Sequence, residues 1–233
     1  MSSLTFLSWN LAMLERSEFA PAGWRLDQSE AAVRNFVLQA DTDLVLFQEL
    51  PGLIPYIDTH DMAPANAKGQ LGDIATLARR ALMPDITASR VKYAVLTHVQ
   101  SMDLTIANIH LPSGNGGDED RLKALESIQA ACPTKHLAII GDSNTRTKEE
   151  PNIAKLGLMG ERPPAPTWDG HKSKYRRDDH NFSAYFTRGF HSKGVTIDEV
   201  KVWSTPVQDG DHAFHLSDHF ALSGRITINH TKS

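Results

Sequence analysis

Apolar residues along this chain come mostly in strand-length runs separated by polar breaks. Runs of period two, or of unbroken apolar character, predict strands at Leu4–Trp9, Leu44–Gln48, Ile74–Ala78, Tyr93–Val99, Leu104–His110, Leu137–Gly141, Ala184–Thr187, Val195–Val202 and Phe220–Ile228. Leu44-Val45-Leu46-Phe47 and Leu137-Ala138-Ile139-Ile140 have no polar face, so they read as central strands covered on both sides. Helical spacing appears at Val33, Phe36, Val37 and Ala40, with Ser29 as the expected N-cap. It appears again at Leu122, Leu125 and Ile128, behind the acidic cluster Asp118–Asp120. A short third helix is expected from Pro151, a favourable first helical position, to about Gly157.

Connections are short except for Gly160–Asp179, which is rich in proline and glycine in its first half and charged in its second. Strands resume after it, so it reads as a surface loop carrying part of a site. Residues 1–233 are therefore expected to form one strand-rich α/β domain with a mixed sheet system.

Composition narrows the class. With 40% hydrophobic residues, 15 glycines and 12 prolines, the chain is neither disordered nor collagen-like. No apolar run approaches the ~20 residues that span a bilayer, and the start lacks a basic n-region and a long apolar h-region, so no membrane span is expected. Cys132 is the single cysteine, which excludes an intramolecular disulfide and a cysteine-based zinc site; a reducing, cytoplasmic location is the expectation. A net charge of −4 does not advertise bulk nucleic-acid binding, although Arg79-Arg80 and the stretch Lys172 to Arg177 supply local positive charge.

The informative polar residues stand at strand ends. Asn10 ends the first strand, Gln48-Glu49 the second, His110 the fifth, and Asp142 with Asn144 the sixth, while Asp218 and His219 precede the last. Singly, each has a bland reading as a turn former, a cap or the first solvated residue. Jointly they converge if those ends lie on one edge, and an α/β scaffold builds its sites at such an edge. Hard oxygen donors, amides and histidines are also the parts that magnesium-assisted attack on a phosphate needs.

Other chemistries find less support. His212, His215 and His219 with Asp211 and Asp218 lack the paired helical histidines of common zinc sites. Gly114-Asn115-Gly116-Gly117 has no following Lys-Ser/Thr, and no Gly-x-Ser-x-Gly elbow exists.

The segments Leu7-Ser8-Trp9-Asn10, Leu46-Phe47-Gln48-Glu49, Asn108-Ile109-His110-Leu111, Ile140-Gly141-Asp142-Ser143-Asn144 and Leu216-Ser217-Asp218-His219 together resemble the endonuclease/exonuclease/phosphatase superfamily, in that family's order. The resemblance implies a DNase I-like four-layer α/β/β/α sandwich, two mixed β-sheets packed face to face with flanking helices. It implies an enzyme that hydrolyses phosphoesters by in-line attack of an activated water, with Mg2+ as cofactor and Mn2+ as substitute. Glu49 would be the principal metal ligand, with Asn10 beside it on the metal or the phosphate. Asp142 would orient and deprotonate the water, Asn144 would hold the phosphate or that water, and His219 would donate to a non-bridging phosphate oxygen. Asp218 would complete the metal and water network, and His110 would contact the phosphate or leaving group.

Substrate is read from more variable segments. Gly141-Asp142-Ser143-Asn144-Thr145-Arg146 with Glu149, and Pro166-Thr167-Trp168-Asp169, resemble the 5′-tyrosyl-DNA phosphodiesterase branch of that superfamily. Arg146 would then hold a phosphate and Trp168 would stack on a base or sugar, which favours DNA or another phosphodiester as the partner. A small phosphorylated molecule, a lipid headgroup, or nucleic-acid binding with weak cleavage stay open as alternatives. One position departs from the family pattern: Ser183 falls where relatives place the carboxylate that holds the catalytic histidine ring. A shift of a few residues would bring Asn181 or Asp179 there instead.

Overall fold

The computed structural model describes residues 2–12, 20–50, 56–64, 74–114, 116–170 and 183–229. Two six-stranded sheets pack against each other. The first has the order β13 (Val195–Trp203), β16 (Ala221–Ile228), β1 (Ser2–Asn10), β2 (Leu44–Gln48), β4 (Ile74–Arg79), β3 (His60–Met62). The second has the order β5 (Ile86–Val91), β6 (Ala94–Val99), β7 (Leu104–His110), β8 (His136–Asp142), β12 (Thr187–His191), β9 (Met159–Glu161). Two small pairs, β10 (Trp168–Asp169) with β11 (Ser183–Ala184) and β14 (Val207–Asp209) with β15 (His212–Phe214), sit apart from these sheets.

Each large sheet holds one parallel pair, β1 with β2 and β7 with β8, among antiparallel neighbours. Parallel neighbours need a long crossover. Here the crossovers carry helices α1 (Leu26–Ala40) and α2 (Asp118–Ala131).

Alternation along the central strands explains why they carry no polar face. Leu4, Phe6, Leu44 and Leu46 meet Leu104, Ile106, Ala138 and Ile140 between the sheets. The intervening residues Leu7, Trp9, Val45 and Phe47 pack under Val33 and Val37 of α1. On the other side, Ala107, Ile109, Leu137 and Ile139 pack under Leu125 and Ile128 of α2 and Ile153 of α3 (Glu150–Lys155). Helix, sheet, sheet and helix stack as the four expected layers. Each fully buried Leu or Phe contributes about 1.5–3 kcal/mol by leaving water.

Several local expectations differ. Helix α1 starts at Leu26 with Arg25 as its N-cap; Ser29 lies inside the first turn, buried, where its Oγ accepts the Trp24 Nε1–H at 2.8 Å. The expected strand Ala184–Thr187 splits into β11 and β12, because Thr187 onward pairs with β8 while Ser183 and Ala184 pair with β10. Strand β5 went unread because Ile86-Thr87-Ala88-Ser89-Arg90-Val91 is too polar to stand out; it is an outer strand with one buried residue, Ile86. Among the described residues no helix is long and apolar enough to cross a membrane.

Candidate active site

The space between the sheets turns polar at one end. Along the inward phase of the four central strands run Leu4, Phe6, Ser8, Asn10; Leu44, Leu46, Gln48; Leu104, Ile106, Asn108, His110; and Ala138, Ile140, Asp142. Parallel pairing brings these carboxyl-terminal ends level, Asn10 opposite Gln48 and His110 opposite Asp142. Apolar residues thus form the floor of the sandwich, and polar ones its mouth.

A layer of neutral amides separates the two. Gln48 Nε2 donates to Asn108 Oδ1 at 2.7 Å across the sheets, and Asn108 Nδ2 donates back to the Ala75 carbonyl at 2.8 Å. Both residues are fully buried. Leaving one such group unpaired costs about 1–3 kcal/mol, so the pair ties the sheets directly below the site. Asn108 is absent from the expected site, although its place two residues before His110 on the same strand face is a usable signal.

Above that layer lie the charged groups. Asp142 is 1% exposed. Its Oδ1 accepts the Asn144 N–H at 3.1 Å and its Oδ2 accepts from Asn10 Nδ2 at 2.9 Å, so both carboxylate oxygens are aimed. Asn10 Nδ2 also donates to Glu49 Oε1 at 3.0 Å. Strand alternation would send Glu49 away from Gln48's face, but Glu49 has a left-handed backbone, φ 48°, and its carboxylate reaches the mouth. Asn144, φ 50°, makes a similar turn after β8 and donates from Nδ2 to the Leu111 carbonyl at 3.0 Å. His110 Nε2 stands 3.5 Å from Glu49 Oε1 and 3.8 Å from Asp142 Oδ2.

The segment 217–219 closes the remaining side. Ser217 Oγ donates to the Asn10 carbonyl at 2.8 Å and accepts the His219 N–H at 3.0 Å, while Trp9 Nε1 donates to the His219 carbonyl at 2.9 Å. These bonds place His219 Nε2 3.8 Å from Asp142 Oδ2 and 4.0 Å from Asp218 Oδ1. His219 is 7% exposed, and its Nδ1 has no hydrogen-bond partner among the described residues.

Glu49, His110 and Asp142 offer ligand atoms within 4.8 Å of one another, a set that fits a hard divalent cation in a partly open site. The expected ligands are only partly in that set. Asn10 turns its amide N–H groups to the two carboxylates, and its Oδ1 accepts the Ala12 N–H at 2.9 Å, so it holds the carboxylates in place. Asp218 Oδ2 accepts from Trp168 Nε1 at 3.1 Å. Trp168 itself is 7% exposed and pairs with His219 as an isolated β-bridge. Its ring, expected to stack on a base or sugar, is therefore mostly enclosed and bonded to Asp218.

Arg146 is half-buried, its guanidinium 4.2 Å over the Phe186 ring and bonded to the Asn144 carbonyl. Burial first, and then the neighbouring Arg121 guanidinium, lower its pKa, while Glu149 and Asp142 oppose the shift. An arginine so placed remains a cation at neutral pH. Ser183 is exposed, opposite Asp169 in β11, and does not bond the His219 ring. The alternatives Asp179 and Asn181, and the basic stretch 172–177, lie outside the described residues.

No protein-family model and no curated protein sequence matches the chain. Solved structures do. TDP2 of D. rerio, complexed with single strand DNA product, superposes with a TM-score of 0.69 at 18% identity, covering 97% of this chain and 100% of that one. An endonuclease/exonuclease/phosphatase family protein from Bacteroides thetaiotaomicron gives 0.68 at 16% identity, covering 97% and 95%. Truncated Caenorhabditis elegans TDP2 gives 0.63 at 16% identity, covering 96% and 97%. At such identities the likeness establishes the fold, which is the endonuclease/exonuclease/phosphatase fold that the strand-end residues resemble.

Proposed function

We propose that the protein is a divalent-metal-dependent phosphodiesterase that hydrolyses phosphoester bonds in DNA or a DNA-like strand. The observation that carries this reading is the aimed, buried carboxylate of Asp142 within 3.8 Å of both His110 Nε2 and His219 Nε2, with Glu49 across from it. Magnesium, held chiefly by Glu49 beside His110, would polarise the phosphate and offset its charge.

The chain's own groups divide the remaining work. Asp142, its oxygens held by Asn10 and the Asn144 N–H, takes the proton of the attacking water. His219 donates from Nε2 to a non-bridging oxygen, where charge grows as the water attacks. Asn144 and Arg146 hold the phosphate from the side of the β8 loop. Asp218, fixed by Trp168, lies 4.0 Å from His219 Nε2 and completes the acidic side of the site. The amide layer of Gln48 and Asn108 keeps the two halves of this site in register.

A polymer phosphodiester suits a site whose cationic groups include a half-buried arginine stacked on an aromatic ring, and TDP2 of D. rerio carries single strand DNA product on the same fold. The test is turnover of a single-stranded oligonucleotide beside an inositol phosphate and sphingomyelin, with magnesium and with chelator. The proposal expects metal-dependent cleavage with the oligonucleotide ranked first. Cleavage that persists in chelator rejects the metal-dependent mechanism, and a panel led by either of the other two substrates rejects DNA.

A further inference from the structure

Helix α2 buries a charge on its apolar face. Arg121 lies on its inner face with Ala124, Leu125 and Ile128 and is 1% exposed. Its Nε and Nη2 form a two-pronged pair with Glu149, at 2.9 and 2.7 Å. Its Nη1 donates to the carbonyls of Pro112 at 2.8 Å and Gly114 at 3.1 Å. A Cβ on Gly117 would stand 2.7 Å from that Nη1, so the loop closes on the guanidinium.

Replacing such a pair with apolar residues of similar volume is often neutral or stabilising, so burial of this pair is weak evidence for a role in stability. Its geometry indicates another role. The residues it grips lie in the loops that leave the site: 112–114 follow His110, and Glu149 follows Asn144 and Arg146. Glu149 Oε1, besides meeting Arg121, accepts the Arg146 backbone N–H at 3.1 Å. The two loops are already joined where Leu111 N–H meets the Asp142 carbonyl at 2.8 Å. Arg146 and Arg121 are close enough to repel, and the Glu149 carboxylate offsets that repulsion.

We infer that the Arg121–Glu149 pair is a positioning device that fixes Arg146, and through it the phosphate, relative to Asp142 and His219. The inference rests on the reading of this site as a phosphate-binding one. Glu149 acts through the Arg146 backbone and through charge, and Arg121 acts through Glu149; neither touches the reacting atoms. Their loss should therefore weaken phosphate binding only while Arg146 is present to be misplaced.

A double-mutant cycle tests this with inorganic phosphate as the probe, titrated against the magnesium-loaded protein by NMR and calorimetry. Glu149→Gln keeps the shape and removes the charge; it is expected to weaken phosphate binding about 10-fold, the lower end of what losing a supporting partner costs. Arg146→Ala should weaken it at least as much, and the double variant should bind no worse than Arg146→Ala alone. In wild type the Arg146 Nε–H resonance should shift on titration, and in Glu149→Gln it should lose that shift. If Glu149→Gln fails to fold, the paired variant Arg121→Met/Glu149→Met replaces it in the same cycle. Losses that multiply in the double variant, or an unchanged affinity in Glu149→Gln, overturn the inference. Oligonucleotide kcat/KM measured on the same variants keeps the two readings apart. A non-multiplying cycle in a protein that cleaves no phosphodiester removes the proposed function and leaves the inference. Multiplying losses in an active enzyme remove the inference alone.

Discussion

Asp142 concentrates more of the proposed chemistry than any other side chain described here. It is buried, carries a hydrogen bond on each oxygen, and lies in ion-pair range of two histidines. Asp142→Asn preserves size but cannot accept the water's proton, so kcat should fall by at least about 10²-fold with the thermal midpoint little changed. His219→Ala should cost a similar factor through lost charge stabilisation. Steady-state kinetics beside a melting curve check both, and full turnover in Asp142→Asn would rule it out as the base. Another histidine should affect stability rather than turnover. His60 is buried, with Nε2 2.9 Å from the Thr42 carbonyl and Nδ1 2.8 Å from Thr59 Oγ1. Burial, above all, lowers its pKa, and His98 shifts the same way for the same reason. The folded state therefore binds these protons less readily than the unfolded chain. Stability is lost as pH drops through the ordinary histidine range near about 6.5. The midpoint of thermal unfolding should fall between pH 7.5 and 5.5, and His60→Gln should flatten that slope.

Among the elements, the parallel pair β7–β8 sets the level of His110 and Asp142, and one glycine makes that pairing possible. Gly141 has φ +145°, and a Cβ there would stand 2.3 Å from the Ile109 carbonyl oxygen. The strands have no room for a side chain at the residue before Asp142. Gly141→Ala should destabilise by about 1–3 kcal/mol or more, the range of overpacking plus backbone strain, and should lower activity by displacing Asp142. Urea melts beside kinetics check it; a fully active variant of unchanged stability would show that the register does not depend on this glycine. The amide bridge invites a parallel test. Asn108→Leu removes the Gln48 Nε2 acceptor on β7 and leaves the buried Ala75 carbonyl without the Asn108 donor, and should destabilise by about 1–3 kcal/mol.

For the whole molecule, the two sheets supply complementary halves of one site: Asn10 and Glu49 from the first, His110 and Asp142 from the second. A site assembled across the sandwich would bring the proposed donors Glu49, His110 and Asp142 together only when both halves pack, so metal and fold should be coupled. Magnesium or manganese should restore activity after chelation and raise the thermal midpoint of wild type but not of Glu49→Gln, because a ligand that binds only the folded state stabilises it. Restoration by zinc alone would reject the oxygen-rich site as described.

How much of this was legible differs from residue to residue. The unbroken apolar character of Leu44–Phe47 and Leu137–Ile140 announced strands covered on both sides, because each of two buried faces needs every second residue. Asn10, Glu49, His110 and Asp142 stood out because an apolar run ended in a group that burial alone would not select, and His219 because it stands just before such a run. Packing decided the rest. Trp168 read as a surface for a base, and only the bridge to His219 shows it enclosed. Asn10 read as an oxygen donor, and only the approach of two carboxylates from different strands turns its N–H groups inward. Arg121 and Glu149 are 28 residues apart and each resembles an ordinary surface charge. Local pattern determined which residues of the central strands would be buried, since that follows from periodicity in the chain itself. Partnership between distant groups required the tertiary structure, because it depends on sheet register and loop closure that no local run of residues encodes.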